Sequence, residues 1–426
     1  MYRPKKLAAG TNGSVRVDEC QICGSTKLDS ILFVGYLPPV NTMPKVGERP
    51  AEQPAYPAEV LRCGECTLVQ LGLVVDPAIL FPPTYPYTSG TTRILRENFA
   101  ELAREAVPML GLTKEHLVVD VGSNDGTLLG NFKDAGMRVC GIEPTNASRI
   151  ALEKNIPTVV SFFGTKAVEQ VKKDHGNAKV ITAANVFAHI EDVHAVVAGM
   201  VDLLDQGGVF ISESHYLASL VETLQYDTIY HEHLRYYALG SLKHLLETHG
   251  LEVFHAKRIP THGGSIRVYA GKKGERAVQA SVKEILAHED KMLSKESFAK
   301  FKRDVVQSKL DLHALLSTVK KAGKRVDGVG APSRSSTLIN YVGLDDGLVD
   351  SVLEIKGSYK IGKYVPGTLI PVVDEAKIAR DPADYLLLFS WHIADELMPK
   401  LKKSGFKGDF IVPLPNPRIV MNADVA

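Results

Sequence analysis

The 426-residue sequence has almost no excess charge, with 50 lysines and arginines against 49 aspartates and glutamates. So even a balance implies no broad basic face for nucleic acid or anionic lipid. Apolar runs are short, and none reaches the roughly 18 residues that a membrane-spanning helix needs. The opening MYRPKKLAAG carries basic residues without the apolar segment of a secretion signal, so a cytoplasmic location is expected. Tryptophan occurs once and cysteine five times. An odd count with two Cys-x-x-Cys pairs disfavours a disulfide framework and favours a metal. Tandem repeats and low-complexity tracts are also missing, which excludes a repeat array.

What is present is ordinary soluble-protein material, 45% hydrophobic and 23% charged, in a chain too long for one core. The first eighty or so residues are rich in proline, with LPPV, ERPAEQPAYPAEV and, from residue 80 on, LFPPTYPYTSG marking loops and turns. TTRILRENFAELAREAV, from 91 to 107, repeats apolar residues at helical spacing. Short apolar runs then alternate with helix-length segments: LVVDVG, RVCGIEP, KVITAANVF, GVFISES and a closing SIRVYAG. That is the pattern of a mostly parallel α/β sheet. A charged helical region from about 275 to 323 leads to a second alternation, RVDGVGAP, LVDSVLEI, LIPVV, DYLLLFS and DFIVPLP. Three parts are expected: a small module over 1–80, an α/β domain over 81–275, and a smaller Rossmann-like α/β domain over 276–426.

Cys20 and Cys23 are separated by thirty-nine residues from Cys63 and Cys66. Two such knuckles supply the four thiolates of a closed, structural Zn²⁺ site, which would fold the small module and leave catalysis elsewhere. Cys140, inside a predicted strand, reads as a small buried apolar residue. In VVDVGSNDGTLL a buried strand ends in a glycine-containing turn that opens a helix, so backbone amides can face a ligand. A second strand ends at Glu143, where a carboxylate can accept hydrogen bonds from both hydroxyls of a ribose. The strict dinucleotide fingerprint is absent, because Gly122 is followed by Ser-Asn-Asp-Gly126. The turn resembles motif I of the class I S-adenosylmethionine-dependent methyltransferases, matched by Asp120, Gly122, Gly126 and Glu143. Ser123, Asn124, Pro144 and Asn185 complete the expected cofactor site. Phe162 and Phe163 follow the next expected strand and are candidates to flank an adenine, a pair that also suits a core.

Residues 227 to 237, DTIYHEHLRYY, hold two histidines, a glutamate and three tyrosines. Methyl transfer to carbon requires a base that removes a proton beside a carbonyl, and donors for the oxygen that becomes negative. Tyr230, His231, Glu232 and His233 suit that work; they also suit a polar helix start with solvated histidines.

The four-cysteine segment, VGSNDGTLL, NVFAHIED, DTIYHEHLRYYALGSL, HGGSIRVY, GAPSRSSTLINYVGL, GKYVPGTLIPV and DYLLLFSWHIADE occur in the order found in the nucleotide-sugar C-methyltransferases. These include the C-3-methyltransferases that make branched deoxysugars such as tetronitrose and mycarose. The resemblance covers essentially the whole chain. It implies a nucleoside-diphosphate 4-keto-deoxysugar as substrate, His233 as base, Glu232 as its supporting carboxylate, Tyr230 as a keto-oxygen donor and His189 as a further active-site group. Tyr85, Tyr87, Arg334, Tyr359 and Lys363 are the substrate-binding candidates. The chain departs from the family at Arg334-Ser335-Ser336, where a Lys-Gly-Asn or Lys-Gly-Thr run is usual; an arginine fork and two hydroxyls can still bind a diphosphate at a helix N-terminus.

The expected enzyme is therefore a C-methyltransferase that uses S-adenosylmethionine and structural zinc, acting as a monomer or weak homo-oligomer with no nucleic-acid or membrane partner. Transfer to oxygen or nitrogen of a sugar or small metabolite is the competing enzyme reading, which leaves so elaborate a base site unused. A zinc-containing scaffold would have eroded Gly122, Gly126, Glu143 or His233. A nicotinamide-dependent epimerase would need Gly-x-Gly-x-x-Gly together with Tyr-x-x-x-Lys.

Overall fold

The computed structural model describes residues 7–8, 13–81 and 89–425. The candidates Tyr85 and Tyr87 lie outside them. In the N-terminal part, alternate residues of Tyr56–Cys63 are buried, with Tyr56, Ala58 and Val60 turned inward, the period of a half-buried strand. It pairs antiparallel with Leu28–Leu37 and with Val69–Leu71. The fourth strand of this sheet, Arg235–Tyr236, comes from more than 150 residues further along and pairs with Val69–Leu71. The expected small module is thus completed by the segment that carries the candidate base.

The central sheet has seven strands, in the spatial order Leu251–Ile259, Ser265–Lys272, Leu204–His215, Ala178–Ala184, Leu117–Val121, Arg138–Ile142, Thr158–Val159. From Leu204–His215 to Thr158–Val159 all pairings are parallel, while Ser265–Lys272 runs antiparallel to both its neighbours. This is the arrangement expected of a class I methyltransferase domain. Leu117–Val121 is buried along its whole length, as an inner parallel strand covered on both faces must be. The predicted helix over 91–107 forms at Arg93–Met109.

The charged helical region is two helices, Ala280–Met292 and Lys295–Lys321. The break falls at Ser294, whose side chain accepts from the Ser297 amide and caps the second helix. The first packs on Leu251–Ile259 and Leu239–Glu247 of the central domain. The second buries Phe298, Phe301, Val305, Leu312, Leu316 and Val319 in a core shared with the last sheet. That sheet orders its strands Val372–Asp374, Ser351–Glu354, Val326–Val329, Tyr385–Leu388, Asp409–Val412, Arg418–Val420, the last one antiparallel. Its strand order reverses between Val326–Val329 and Tyr385–Leu388.

Candidate active site

The four cysteines converge: their sulfurs all lie within 4.8 Å of one another, with Cys20 to Cys66 at 3.4 Å and Cys23 to Cys63 at 3.5 Å. A tetrahedral zinc with Zn–S bonds of about 2.3 Å sets its sulfurs about 3.8 Å apart, so the donor set fits that ion. The Glu65 amide points at the Cys63 sulfur at 3.4 Å, the kind of donor that stabilises a bound thiolate. His194 donates from Nε2 to the Ile22 carbonyl inside the first knuckle at 2.8 Å, tying the knuckle to the central domain. Cys140 is buried in its strand, and desolvation pushes its thiol up to about 11.

At the cofactor turn Gly122 has φ +70 and Gly126 φ +75. A Cβ on Gly122 would stand 2.6 Å from Val186 Cγ2, so the turn is pressed against the loop after Ala178–Ala184. Glu143 accepts from the amides of Asn124 at 2.9 Å and Thr145 at 2.8 Å. Its carboxylate is thereby fixed at the strand end, with further lone pairs for ligand hydroxyls. A glycine cradle beside an anchored acid fits an adenosine-type cofactor. Asp120 lies beneath the turn: Thr182 Oγ1 donates to it at 2.6 Å, and burial raises its carboxyl to about 7. Ser123 is turned under Gly141. Asn124 and Asn185 take left-handed backbone, with φ 51 and 59, and Pro144 follows Glu143, half-buried. Phe162 is 80% exposed, while Phe163 packs inward against Gly199, so the two rings do not form a matched pair.

The segment carrying the candidate base is laced to all three parts, with Thr337 of the last one donating from Oγ1 to the Ile229 carbonyl. The Leu234 amide donates to the Ala188 carbonyl, the Leu71 amide donates to the Leu234 carbonyl, and Arg235 donates to the carbonyls of Ile190 and Glu191. A turn at His231 and Glu232, closed by the His233 amide on the Tyr230 carbonyl at 2.9 Å, then separates the two histidines. His231 faces the first sheet, its Nε2 on the Pro57 carbonyl at 3.2 Å and its ring against Tyr56. His233 faces the other way, with its ring centroid 4.3 Å from Tyr230, 5.1 Å from His189 and 6.4 Å from His215.

His233 Nδ1 lies 2.9 Å from the Thr228 carbonyl. A carbonyl only accepts, so Nδ1 carries the proton and Nε2 offers its lone pair. The orienting group is therefore this carbonyl. Glu232, expected to support the base, instead accepts from Asn41 Nδ2 at 2.6 Å. His189 similarly donates from Nδ1 to the Glu232 carbonyl at 2.8 Å. In a neutral ring that leaves the lone pair on Nε2. Burial, then the neighbouring His189 and His215, lowers His233 well below the usual histidine range. Burial lowers His189 as well. Both rings are neutral at pH 7.

Sequence reasoning missed three further histidines of this pocket. His215, at the end of Leu204–His215, donates from Nε2 to the His262 carbonyl at 2.8 Å. His262 holds φ 57 in a left-handed turn, a strained setting for a non-glycine residue. His392 receives a hydrogen bond from Arg334. Desolvation, with the charge of Arg334, depresses His215 to about 3, His262 to about 4 and His392 to about 2. No local signal could have grouped them, since they lie on a strand end and two separate turns of two domains; only the THGG turn around His262 was unusual in itself.

Among the substrate candidates, Tyr359 donates to Asn41 Oδ1 at 3.3 Å, and the Lys363 ammonium sits 4.7 Å from the Tyr359 ring centre. Tyr359, Asn41 and Glu232 thus join the three parts at the pocket. Burial and then the nearby Glu232 raise the Tyr359 phenol to about 12. Arg334 is placed otherwise than expected. Its Nε and Nη2 are committed to Asp227 at 2.8 and 2.9 Å, and the residue is 7% exposed, so it is no free fork for a diphosphate. Ser335 and Ser336 are buried with it.

Three family models match the chain: a zinc binding domain over residues 20–81, a methyltransferase domain over 92–256, and a C-methyltransferase C-terminal domain over 260–415. The C-methyltransferase NovU of Streptomyces niveus is 32% identical over 409 residues, covering 95% of this chain and 97% of its own. Among solved structures, magnesium protoporphyrin IX methyltransferase of Synechocystis, with S-adenosylmethionine bound, aligns with 42% of this chain and 83% of its own at 15% identity and a TM-score of 0.33. The glycopeptide N-methyltransferase MtfA aligns with 41% of this chain and 90% of its own, at 15% identity and a TM-score of 0.32.

Proposed function

The chain belongs to the C-methyltransferase family, and from that premise we propose that it methylates C-3, next to the 4-keto group, of a nucleoside-diphosphate-linked deoxyhexose. It is an S-adenosylmethionine-dependent methyltransferase with a zinc-binding N-terminal module. The cofactor supplies an electrophilic methyl group, which the carbanion form of the substrate takes up. The residues of the chain do the rest.

His233 removes the proton. Its Nδ1–H stays on the Thr228 carbonyl while Nε2 receives the substrate proton, so the ring gains charge without turning. A base of low affinity for protons is effective here because the imidazolium forms together with an enolate in a desolvated pocket, where opposite charges attract strongly. Positioned bases of this kind contribute about 10²–10⁴-fold in rate. The Tyr230 hydroxyl, whose ring lies against His233, donates to the enolate oxygen. The Gly122–Gly126 turn and Glu143 hold the adenosine. Tyr359 and Lys363, at the mouth of the last domain, hold the nucleotide.

The observation that carries this reading is His233 itself: a neutral imidazole, locked in one tautomer, in a pocket reached from the cofactor turn through Val186 and His189. The test is incubation with S-adenosylmethionine and dTDP-, GDP- and UDP-linked 4-ketohexoses, with the new methyl group located by carbon NMR. A methyl on carbon beside the ketone is expected. A methyl on oxygen or nitrogen would overturn the proposal.

A further inference from the structure

In an open α/β sheet, anionic ligands commonly occupy the crevice at the carboxyl ends of the strands where the strand order reverses. In the last domain that crevice lies between the loops after Val326–Val329 and Tyr385–Leu388, and the chain fills it with its own carboxylate. Asp227, from the turn Tyr226–Thr228, accepts two hydrogen bonds from Arg334 and one at 2.8 Å from the Trp391 indole. Arg334 lies 5.2 Å from the Trp391 ring centre and donates from Nη1 to His392 at 3.1 Å. Asp227 is 1% exposed and Trp391 9%. Two further bonds tether the same turn: Thr337 Oγ1 donates to the Ile229 carbonyl at 3.1 Å, and Thr228 Oγ1 donates to the Gln225 carbonyl at 2.8 Å.

We propose that Arg334 is a positioning residue for the base. Through Asp227 it sets the Tyr226–Thr228 turn, and the carbonyl of Thr228 in that turn fixes the tautomer and direction of His233. Proton abstraction is then competent only while the last domain is docked on the central one, so the domain proposed to hold the nucleotide also aligns the base. A buried ion pair gives little net stability compared with well-packed apolar residues, whereas a bidentate fork fixes geometry. The clasp has the chemistry of an alignment device. The proposal rests on C-methylation only for its kinetic readout.

Trp391 is the only tryptophan, so intrinsic fluorescence reports on the clasp without labelling. Arg334→Lys keeps the charge and loses the fork; Arg334→Met loses both. In Arg334→Met the Trp391 emission is expected to move to longer wavelength. In both variants kcat is expected to fall at least tenfold, more in the methionine variant, with the KM for nucleotide-sugar and the affinity for S-adenosylmethionine within about twofold of wild type. A raised KM at unchanged kcat would make Arg334 a substrate contact, and an unchanged emission would mean that the clasp does not form; either overturns the proposal. Should Arg334→Met fail to fold, Arg334→Lys carries the kinetic test. If wild type turns over no ketohexose, it is the proposed function that fails. The imidazole ¹⁵N signals of His233 then decide: loss of the Nδ1–H tautomer in Arg334→Lys supports the positioning role, and an unchanged tautomer ends it.

Discussion

Replacing Gly122 with alanine adds one carbon where the cofactor turn meets the loop that leads to the base. That carbon would lie 2.6 Å from Val186 Cγ2 and 3.3 Å from Cγ1, against about 3.5–4.0 Å for relaxed carbon contacts. Valine, branched at Cβ, has few rotamers in which to retreat. Overpacking of this kind costs about 1–3 kcal/mol, and the left-handed φ of +70 adds about 1–2 kcal/mol for a residue with a side chain. The sum, about 2–5 kcal/mol, is divided between fold stability and the affinity for S-adenosylmethionine, at about 1.4 kcal/mol per tenfold in affinity. Urea denaturation without cofactor reads the first share, and titration calorimetry reads the second. Val186→Ala removes both offending methyl groups, so the double variant is expected to recover the overpacking share and leave only the backbone strain. Wild-type stability and affinity in Gly122→Ala, or no recovery in the double variant, would refute the argument.

Acid should destabilise the fold below about pH 6.5. Eight histidines are depressed by burial: His189, His215, His231, His233, His249, His255, His262 and His392. Below the ordinary histidine value the unfolded chain binds protons that the folded one refuses, so stability is full above it and falls as pH drops. The raised carboxyls of Asp120, Glu213 and Glu289 act in the opposite sense but are fewer; a melting temperature that does not fall between pH 7 and 5 would contradict the balance. Chelating the metal, or Cys63→Ser, should unfold the N-terminal sheet and, through Arg235–Tyr236, abolish activity, with near-native circular dichroism kept by the other domains; full activity after verified zinc loss would count against this. Arg267, 0% exposed, holds Glu213, Glu105 and Asn98. Arg267→Met should cost about 3–5 kcal/mol by leaving buried charge unpaired, measured by urea denaturation, and a cost under about 1 kcal/mol would show that the network relaxes.

The alternation of strands and helices, the helix at Arg93–Met109 and the convergence of the cysteines were legible because each depends on local periodicity or short spacing. The turn from Gly122 to Gly126 was legible for the same reason, and both glycines occupy positive φ there. What stayed hidden is long-range. Nothing local pairs Arg235–Tyr236 with Val69–Leu71, or brings His215, His262 and His392 to one pocket. Glu232 stood beside His233 in sequence, but adjacent residues point apart, so the nearer carboxylate went to Asn41 and a backbone carbonyl took the imidazole. Arg334 looked like a phosphate fork because its partner Asp227 lies 107 positions away.

The central claim is that His233 Nε2 is the enolising base. Its most direct measurement is the rate at which the proton beside the ketone exchanges with deuterated water, without methyl transfer, for wild type and His233→Gln in the presence of S-adenosylhomocysteine. Glutamine fills the imidazole's place without its basicity, so exchange is expected to fall about 10²-fold or more, with the nucleotide-sugar still bound. Exchange that persists within a few-fold of wild type would place the base elsewhere in the pocket.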